Sequence, residues 1–280
     1  MEKILIREKL LKFLKEDLGH GDLTTESLVP DVQTANGIIY AKKNGVVSGL
    51  DIAREVFMML DNQTRWVEYK QDGEVVKEGE VLAEVIGKAS VILKGERLAL
   101  NLLQRMSGIA TQTADYVSRI KGAHCKVVDT RKTTPGLREF EKYAVKCGGG
   151  YNHRFALYDA VMIKDNHIKL AGSIESAVEK ARENIPHTIK IEVEVETNEQ
   201  AQQAVKSGAD IIMLDNMSVE EMNQAVKTIA GKAITEASGG ITLQTITAVS
   251  ETGVDFISVG ALTHSVKALD ISLDINYKKE

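Results

Sequence analysis

The sequence contains only two cysteines, Cys125 and Cys147, and they do not form a CxxC pair. A disulfide framework and a cysteine-based zinc site are therefore not expected, and a reducing cytoplasm fits. No run of about 18 apolar residues occurs, so no membrane span is expected. The opening stretch, Met1-Glu2-Lys3-Ile4-Leu5-Ile6-Arg7, carries charges where a secretory leader needs an apolar core. A basic excess is also missing: 35 Lys and Arg stand against 40 Asp and Glu, a balance of −5. Nucleic-acid binding, which rests on a basic surface, is disfavoured. Gly148-Gly149-Gly150 does not fit GxGxxG and no P-loop is present, so Rossmann and kinase readings lack a motif. What remains is a chain of 280 residues, 43% hydrophobic and 27% charged. That is the composition of an ordinary globular protein with length for one large domain or two.

The first hundred residues differ in rhythm from the rest. Leu10 to Leu18 reads as a short amphipathic helix ending at Gly19. Four β-like runs follow, at 35–41, 64–69, 74–76 and 81–86, separated by glycine turns. A long helix is predicted from about Glu96 to Ile120, because Leu98, Leu102, Ile109 and Val117 recur at helical spacing. From about Lys126 short apolar runs alternate with helical segments. The runs lie at 126–129, 160–164, 189–195, 210–215, 233–236 and 255–260. Runs apolar on both faces suit buried parallel strands. Thr197-Asn198-Glu199-Gln200 and Ser218-Val219-Glu220-Glu221 read as capping boxes. Repeated strand–helix units imply an α/β barrel or a doubly wound sheet.

The strand ends favour the barrel. Asp129 with Arg131 and Lys132, then Lys164, Glu194, Asp215, Glu236 and Gly260 close the successive runs. In a barrel these ends meet on one rim, where such enzymes build their sites. In a doubly wound sheet they spread along an edge, and exposed strand ends are polar in any case.

Between Lys126 and Arg154 seven basic residues face three acidic ones, inverting the charge of the chain as a whole. Arg131, Lys132, His153 and Arg154 thus suggest a pocket for an anionic small molecule, since Arg offers a planar fork and Lys a compact charge. Lys142 and Lys146 read instead as a solvated helix face. In Glu192-Val193-Glu194-Val195-Glu196 all three carboxylates share one strand face. Three buried like charges are costly without cations, so Glu192 and Glu196 are expected to pair with helix lysines outside the barrel. Glu194 and Asp215 are the pair expected to hold Mg²⁺, a hard ion that takes oxygen ligands. Ser238-Gly239-Gly240 precedes a helix expected from about Thr242, and Gly260 follows the last strand. Such glycines let backbone N–H groups approach a phosphate, and barrels often bind phosphate after their last two strands. Asp72-Gly73-Glu74-Val75-Val76-Lys77 resembles half of a biotinyl carrier repeat, but no second half with a modifiable Lys follows, so a β-turn-β piece of a structural domain is expected.

Taken in order, the motifs resemble the quinolinate phosphoribosyltransferase family, also called carboxylating nicotinate-nucleotide pyrophosphorylases. The resemblance runs through Glu16-Asp17-Leu18-Gly19-His20-Gly21-Asp22, Glu96-Arg97-Leu98-Ala99-Leu100-Asn101 and Asp129-Thr130-Arg131-Lys132-Thr133-Thr134-Pro135-Gly136. It continues through Gly150-Tyr151-Asn152-His153-Arg154, Ile163-Lys164-Asp165-Asn166-His167, Leu214-Asp215-Asn216-Met217, Glu236-Ala237-Ser238-Gly239-Gly240 and Val259-Gly260-Ala261-Leu262-Thr263. It implies an N-terminal α/β sandwich domain, residues 1–110 joined by the tail 269–280, beside an open, TIM-like α/β barrel at 111–268. It also implies a homodimer with shared active sites, possibly a hexamer, in which Arg97 enters the partner's barrel mouth. The implied reaction, in de novo NAD biosynthesis, joins quinolinate to phosphoribosyl pyrophosphate and releases pyrophosphate and CO₂. Arg97, Arg131, His153, Arg154 and Lys164 would bind quinolinate. Lys132 and Lys164 would serve the pyrophosphate. Glu194 and Asp215 would hold Mg²⁺ or the ribose, and Ser238, Gly239, Gly240 and Gly260 the 5-phosphate. The alternatives are a paralogous phosphoribosyltransferase acting on another base, such as nicotinate, and a non-catalytic protein that binds anionic metabolites.

Overall fold

In the computed structural model, which describes residues 2–276, the chain forms two units. Of the described residues, the first takes in those up to Ala114, Thr134–Gly149 and those from Ser265 onward; the second takes in Asp115–Thr133 and Gly150–His264. Segment Thr134–Gly149 thus falls with the first unit, although it lies inside the range expected for the barrel. Residues 277–280 of the tail lie outside the described residues.

The elements of the N-terminal part are α1 (Lys3–Leu18), α2 (Leu23–Leu28), β1 (Thr34–Ala41), β2 (Gly45–Val46), α3 (Leu50–Leu60), β3 (Arg65–Glu68), β4 (Val75–Val76), β5 (Val81–Lys88) and α4 (Ala89–Arg119). Then come β6 (Lys126–Val128), α5 (Arg138–Cys147), β7 (Val161–Ile163), α6 (Asp165–Ala171), α7 (Ile174–Asn184), β8 (Ile191–Val195), α8 (Asn198–Lys206), β9 (Ile211–Asp215) and α9 (Val219–Ile229). The chain ends with β10 (Ile234–Ser238), α10 (Ile246–Ser250), β11 (Phe256–Ser258), α11 (Ala261–His264) and β12 (Ile271–Asn276). No helix among the described residues is long and apolar enough to cross a membrane, and both cysteines are free.

In the first unit an antiparallel sheet runs β12-β1-β5-β3. The chain end pairs with β1, Ile39 opposite Leu273. β1 alternates buried and less buried positions, the mark of a strand with one face on the core. Helix α1 starts at Lys3, well before the expected Leu10; Ile6 is buried one turn ahead of Leu10 and Leu14 and continues their stripe, while Ile4 and Leu5 are exposed. Helix α5 is buried on most sides. Lys142, expected on a solvated face, is fully buried, as are Phe140, Glu141, Ala144 and Val145. Glu141 is held by Arg105, whose Nε and Nη2 donate to Oε1 at 2.8 and 2.6 Å, and by the Thr134 N–H at 3.1 Å.

In the second unit six parallel strands run β6-β11-β10-β9-β8-β7. Tyr151 adds a parallel bridge to Val128 on the free side of β6. Laid flat, six strands span roughly 24 Å at their usual spacing of about 4.8 Å. All six strand ends nevertheless line one cavity, through Thr130, Ser258, Ser238, Asp215, Glu194 and Lys164. The sheet is therefore curled into an open barrel. Outward residues such as Val193, Val195, Ile212 and Leu214 are fully buried and face the helix layer. Those helices are capped as their sequences require: Ser173 and Thr197 accept from Ser176 and Gln200 N–H groups, and Ser218 with Glu221 closes a reciprocal box before α9. In the Thr197 segment the Gln200 side chain turns to the Glu196 N–H instead, so that box is one residue out of register.

Because Glu141 is buried and Arg105 neutralises it, Arg105→Ala is expected to cost about 3 kcal/mol or more of stability by leaving the carboxylate uncompensated. Urea unfolding of the variant would show it as a lower midpoint at unchanged slope.

Candidate active site

The curled sheet encloses a cavity of about 440 Å³ at the C-terminal ends of its strands. Basic residues come from the turn after β6 and from the segment beside it. Thr130 starts that turn: its Oγ1 accepts the Lys132 N–H at 3.0 Å. The Lys132 carbonyl accepts from Thr263 Oγ1 at 2.8 Å, which fixes the turn against the last strand–helix loop. Gly260 lies behind Lys132 rather than in the lining; a Cβ there would stand 3.1 Å from Lys132 Cδ. Asp129, fully buried at the end of β6, organises the next segment, accepting from Asn152 Nδ2 at 2.6 Å and the His153 N–H at 2.9 Å. Arg154 then donates to the Ala160 carbonyl at 2.7 Å. Burial, together with the Arg131 guanidinium beside it, holds Arg154 below its usual value. Arginine keeps its charge at neutral pH all the same, so two cations are held in proximity against their repulsion. An anion is the natural occupant of such a place.

The opposite wall is acidic. Lys164 follows β7, and its ammonium pairs with Glu194 Oε2. Its backbone N–H donates to His167 Nδ1 at 2.9 Å, which starts α6. Asp215 ends β9 and is steered by its neighbour: Asn216 Nδ2 donates to Asp215 Oδ2 at 2.7 Å. Asn216 adopts a left-handed backbone, φ 54°, and its N–H donates to the Ser238 carbonyl at 3.0 Å. Gly239 packs directly on it, with φ +86°, and a Cβ there would fall 2.2 Å from Asn216 Oδ1. Only glycine meets both demands. After Gly240 the regular α10 is Ile246–Ser250, but the turn leading into it opens at Thr242: Thr242 and Thr245 exchange N–H to Oγ1 bonds as in a capping box, and the Ile246 N–H donates to the Thr242 carbonyl at 3.0 Å.

Beneath the cavity the sequence reading fails in an informative way. Glu192 does not pair with a helix lysine outside the barrel. It points inward and is 1% exposed, and its Oε2 stands 3.3 Å from His153 Nε2. Glu236, 4% exposed, presents Oε2 to the same nitrogen at 3.5 Å. The period of two that carries Glu194 inward carries Glu192 inward as well; neither Glu192 oxygen has a hydrogen-bond partner among the described residues, and His153 Nε2 is the basic group beside it. Burial and the Glu192 carboxylate push Glu236 up to about 7. His153 and the two carboxylates have the spacing of a metal site. The Arg154 N–H, however, donates to His153 Nδ1 at 2.8 Å, which places the ring hydrogen on Nε2 and removes that nitrogen as a ligand.

Of the residues expected in the site, Arg131, Lys132, His153, Arg154, Lys164, Glu194, Asp215, Ser238, Gly239 and Gly240 line this one cavity. Arg97 is exposed on α4 and is not one of the described residues that line it. Thr130, Met162, Met213, Asn216 and Ser258 join the lining without having been singled out as site residues. Met162 and Met213 supply polarizable apolar surface of the kind that suits a flat ring.

A curled parallel sheet that gathers cations on one wall and free carboxylate oxygens on the other defines an α/β-barrel enzyme for anionic small molecules. Comparison with known proteins sharpens this. The N-terminal domain of quinolinate phosphoribosyl transferase matches residues 22–107 and the C-terminal domain matches residues 109–274. The chain is 48% identical, over its whole length and 96% of the relative, to a probable nicotinate-nucleotide pyrophosphorylase [carboxylating] of Bacillus subtilis. It is 40% identical to a mitochondrial quinolinate phosphoribosyltransferase [decarboxylating] of Nicotiana glauca, covering 97% of this chain and 82% of that one. The crystal structure of NadC from Streptococcus pyogenes superposes with a TM-score of 0.96 at 42% identity, covering 100% of this chain and 99% of that one. The chain belongs to the quinolinate phosphoribosyltransferase family. Its reaction converts quinolinate and phosphoribosyl pyrophosphate to nicotinate mononucleotide, pyrophosphate and CO₂, a step of NAD biosynthesis.

The tight fit of Gly239 on Asn216 predicts that Gly239→Ala loses activity and about 1–3 kcal/mol of stability. Gly208→Ala, with similar φ but open space around its Cβ, should lose about 1 kcal/mol and keep its activity. Steady-state assays and thermal melts of both variants separate the clash from the backbone strain.

Proposed function

We propose that the cavity divides the two substrates between its walls, with Arg131, His153 and Arg154 on the quinolinate side and Glu194, Asp215 and the Ser238-Gly239-Gly240 turn on the phosphoribosyl side. The observation that carries this reading is the pairing of a partly desolvated Arg154 and the neighbouring Arg131 with an acidic wall inside one cavity. Quinolinate bears two carboxylates, and Arg131 and Arg154 are the forked donors that match them. Lys164 joins the walls. Its ion pair with Glu194 lets it swing toward the leaving pyrophosphate, where Lys132 also sits.

Glu194 and Asp215 fit Mg²⁺. They end neighbouring strands, and each has one carboxylate oxygen engaged by Lys164 or Asn216, so the other is available as a hard ligand beside the substrate phosphates. When bound, the ion supplies neutralising charge for the departing pyrophosphate. The chain's own residues do the rest. Lys132 and Lys164 stabilise the negative charge that grows on the leaving group, more strongly in the transition state than in the ground state. Glu194 and Asp215 face the ribose as its anomeric carbon becomes electron-poor. The backbone of the Gly239-Gly240 turn, free of side-chain bulk, approaches the 5-phosphate closely.

The exposed Arg97 completes the site of a second copy in this reading, giving a homodimer with shared sites, with hexamers as a further assembly. Two free cysteines suit a cytoplasmic setting.

Arg131→Ala is expected to raise the half-saturation for quinolinate by ten-fold or more while leaving that for phosphoribosyl pyrophosphate within about two-fold. Asp215→Asn should reverse the pattern and raise the Mg²⁺ requirement. Initial-rate kinetics with each substrate varied in turn decides it; equal effects on both substrates in both variants would contradict the division.

A further inference from the structure

The reaction leaves one requirement that the walls do not meet. After CO₂ departs, a proton must reach the ring carbon that carried it. The guanidinium groups of Arg131 and Arg154 hold their protons too tightly to act as acids. In the reading above, on which this inference rests, Lys132 and Lys164 are given to the leaving pyrophosphate, and Glu194 and Asp215 act as anions. Asp129 is saturated by the Asn152 and His153 N–H groups. One acid remains in the lining, at the floor.

We propose that Glu236 is the proton donor that completes decarboxylation, held for this task by His153 and Glu192. The geometry comes from three elements. Glu236 projects from β10 into the cavity and is 4% exposed. His153, fixed in its Nε2–H tautomer by the Arg154 N–H, faces Glu236 Oε2. That leaves Oε1 to carry the proton; Oε1 is buried and has no hydrogen-bond partner among the described residues, so in this proposal the carboxyl turns about its last side-chain bond to present the proton to the ring. Glu192, projecting inward from β8, stands on the other side of the same imidazole. Two carboxylates this close do not both ionise readily in a buried site. The groups facing Glu236 are Glu192, His153, Asp129 and the Ser258 hydroxyl, and burial with Glu192 outweighs the rest, raising it to about 7. A carboxyl with that value is protonated in a useful fraction near neutral pH, which is the condition for a general acid.

The step balances. The bond between ring C2 and its carboxylate carbon breaks and CO₂ leaves. The electron pair stays on C2, beside the positively charged ring nitrogen that bears the ribose. The Glu236 O–H bond breaks and a C2–H bond forms before the CO₂ escapes the cavity, so protonation competes with return of CO₂ to the ring and sets the rate of its release. Glu236 is left ionised against His153 Nε2–H and regains its proton from water after product release. In this account Glu236 is catalytic, whereas His153 toward this step, and Glu192, are positioning residues.

The test separates the two halves of the reaction by single-turnover quench, following pyrophosphate and CO₂ independently. In Glu236→Gln, which keeps the shape and removes the acid, CO₂ release is expected to fall by about 10²-fold or more. Pyrophosphate release should fall far less, so that the dicarboxylate mononucleotide accumulates. Glu236→Asp should recover part of the CO₂ rate. Pyrophosphate and CO₂ falling together, or CO₂ release at the wild-type rate, would overturn the proposal. A pH series on the wild-type protein does not depend on how the variants fold. CO₂ release should decline as pH rises through about 7, because the acid form is lost, while pyrophosphate release does not follow; a flat CO₂ rate from about pH 6 to about pH 9 would equally overturn it. Absence of any pyrophosphate from the wild-type protein would strike the division of the cavity proposed above rather than the donor.

Discussion

His153 stands where opposite electrostatic demands meet. Above it, Arg131 and Arg154 are held close together, and Arg154 is partly desolvated. Below it, Glu192 and Glu236 are buried almost completely. Removing one member of such a buried charged set typically costs about 3–5 kcal/mol, so the barrel interior is stable only as an ensemble of compensations. The imidazole touches both carboxylates through Nε2 and takes the Arg154 N–H through Nδ1. Its orientation comes in turn from Asp129, which accepts the His153 N–H. A short chain of local bonds from the end of β6 therefore sets the register of the whole cavity floor.

The acidic wall is shaped by backbone conformation as well as by charge. Asn216 is held left-handed, donates sideways to Asp215 and is packed from above by Gly239. One strained residue thereby aims a carboxylate and shapes a glycine turn, a common way for a site to store its geometry. The Lys164–Glu194 pair then bridges the cationic and acidic walls of the cavity.

Much of this was legible in the residues themselves. The six parallel strands announced themselves as runs apolar on both faces, and their polar ends marked the rim. The helix starts at Thr197 and Ser218 follow from capping chemistry that acts within four residues. What stayed hidden depends on contacts distant in sequence. Glu192 read as an outward charge because the cost of burying three carboxylates was counted without its compensating histidine, which arrives from another segment. Lys142 read as solvated because nothing local shows how thoroughly α5 is enclosed. The glycines at 239 and 240 were visible, but not that Asn216 is what forbids a side chain at the first of them. The first turns of α1 stayed hidden because the exposed Ile4 and Leu5 stand beside Ile6, the one buried position among the described residues there.

The central claim is that the two cationic forks select a dicarboxylate ring acid and that the same cavity both transfers the ribosyl group and releases CO₂. It is tested most directly by incubating the purified protein with phosphoribosyl pyrophosphate, Mg²⁺ and quinolinate labelled in the carboxylate next to the ring nitrogen, with nicotinate in a parallel reaction. The account predicts nicotinate mononucleotide and labelled CO₂ in equal amounts from quinolinate, and no mononucleotide from nicotinate. Turnover of nicotinate at a comparable rate, or mononucleotide formed without CO₂, would contradict it.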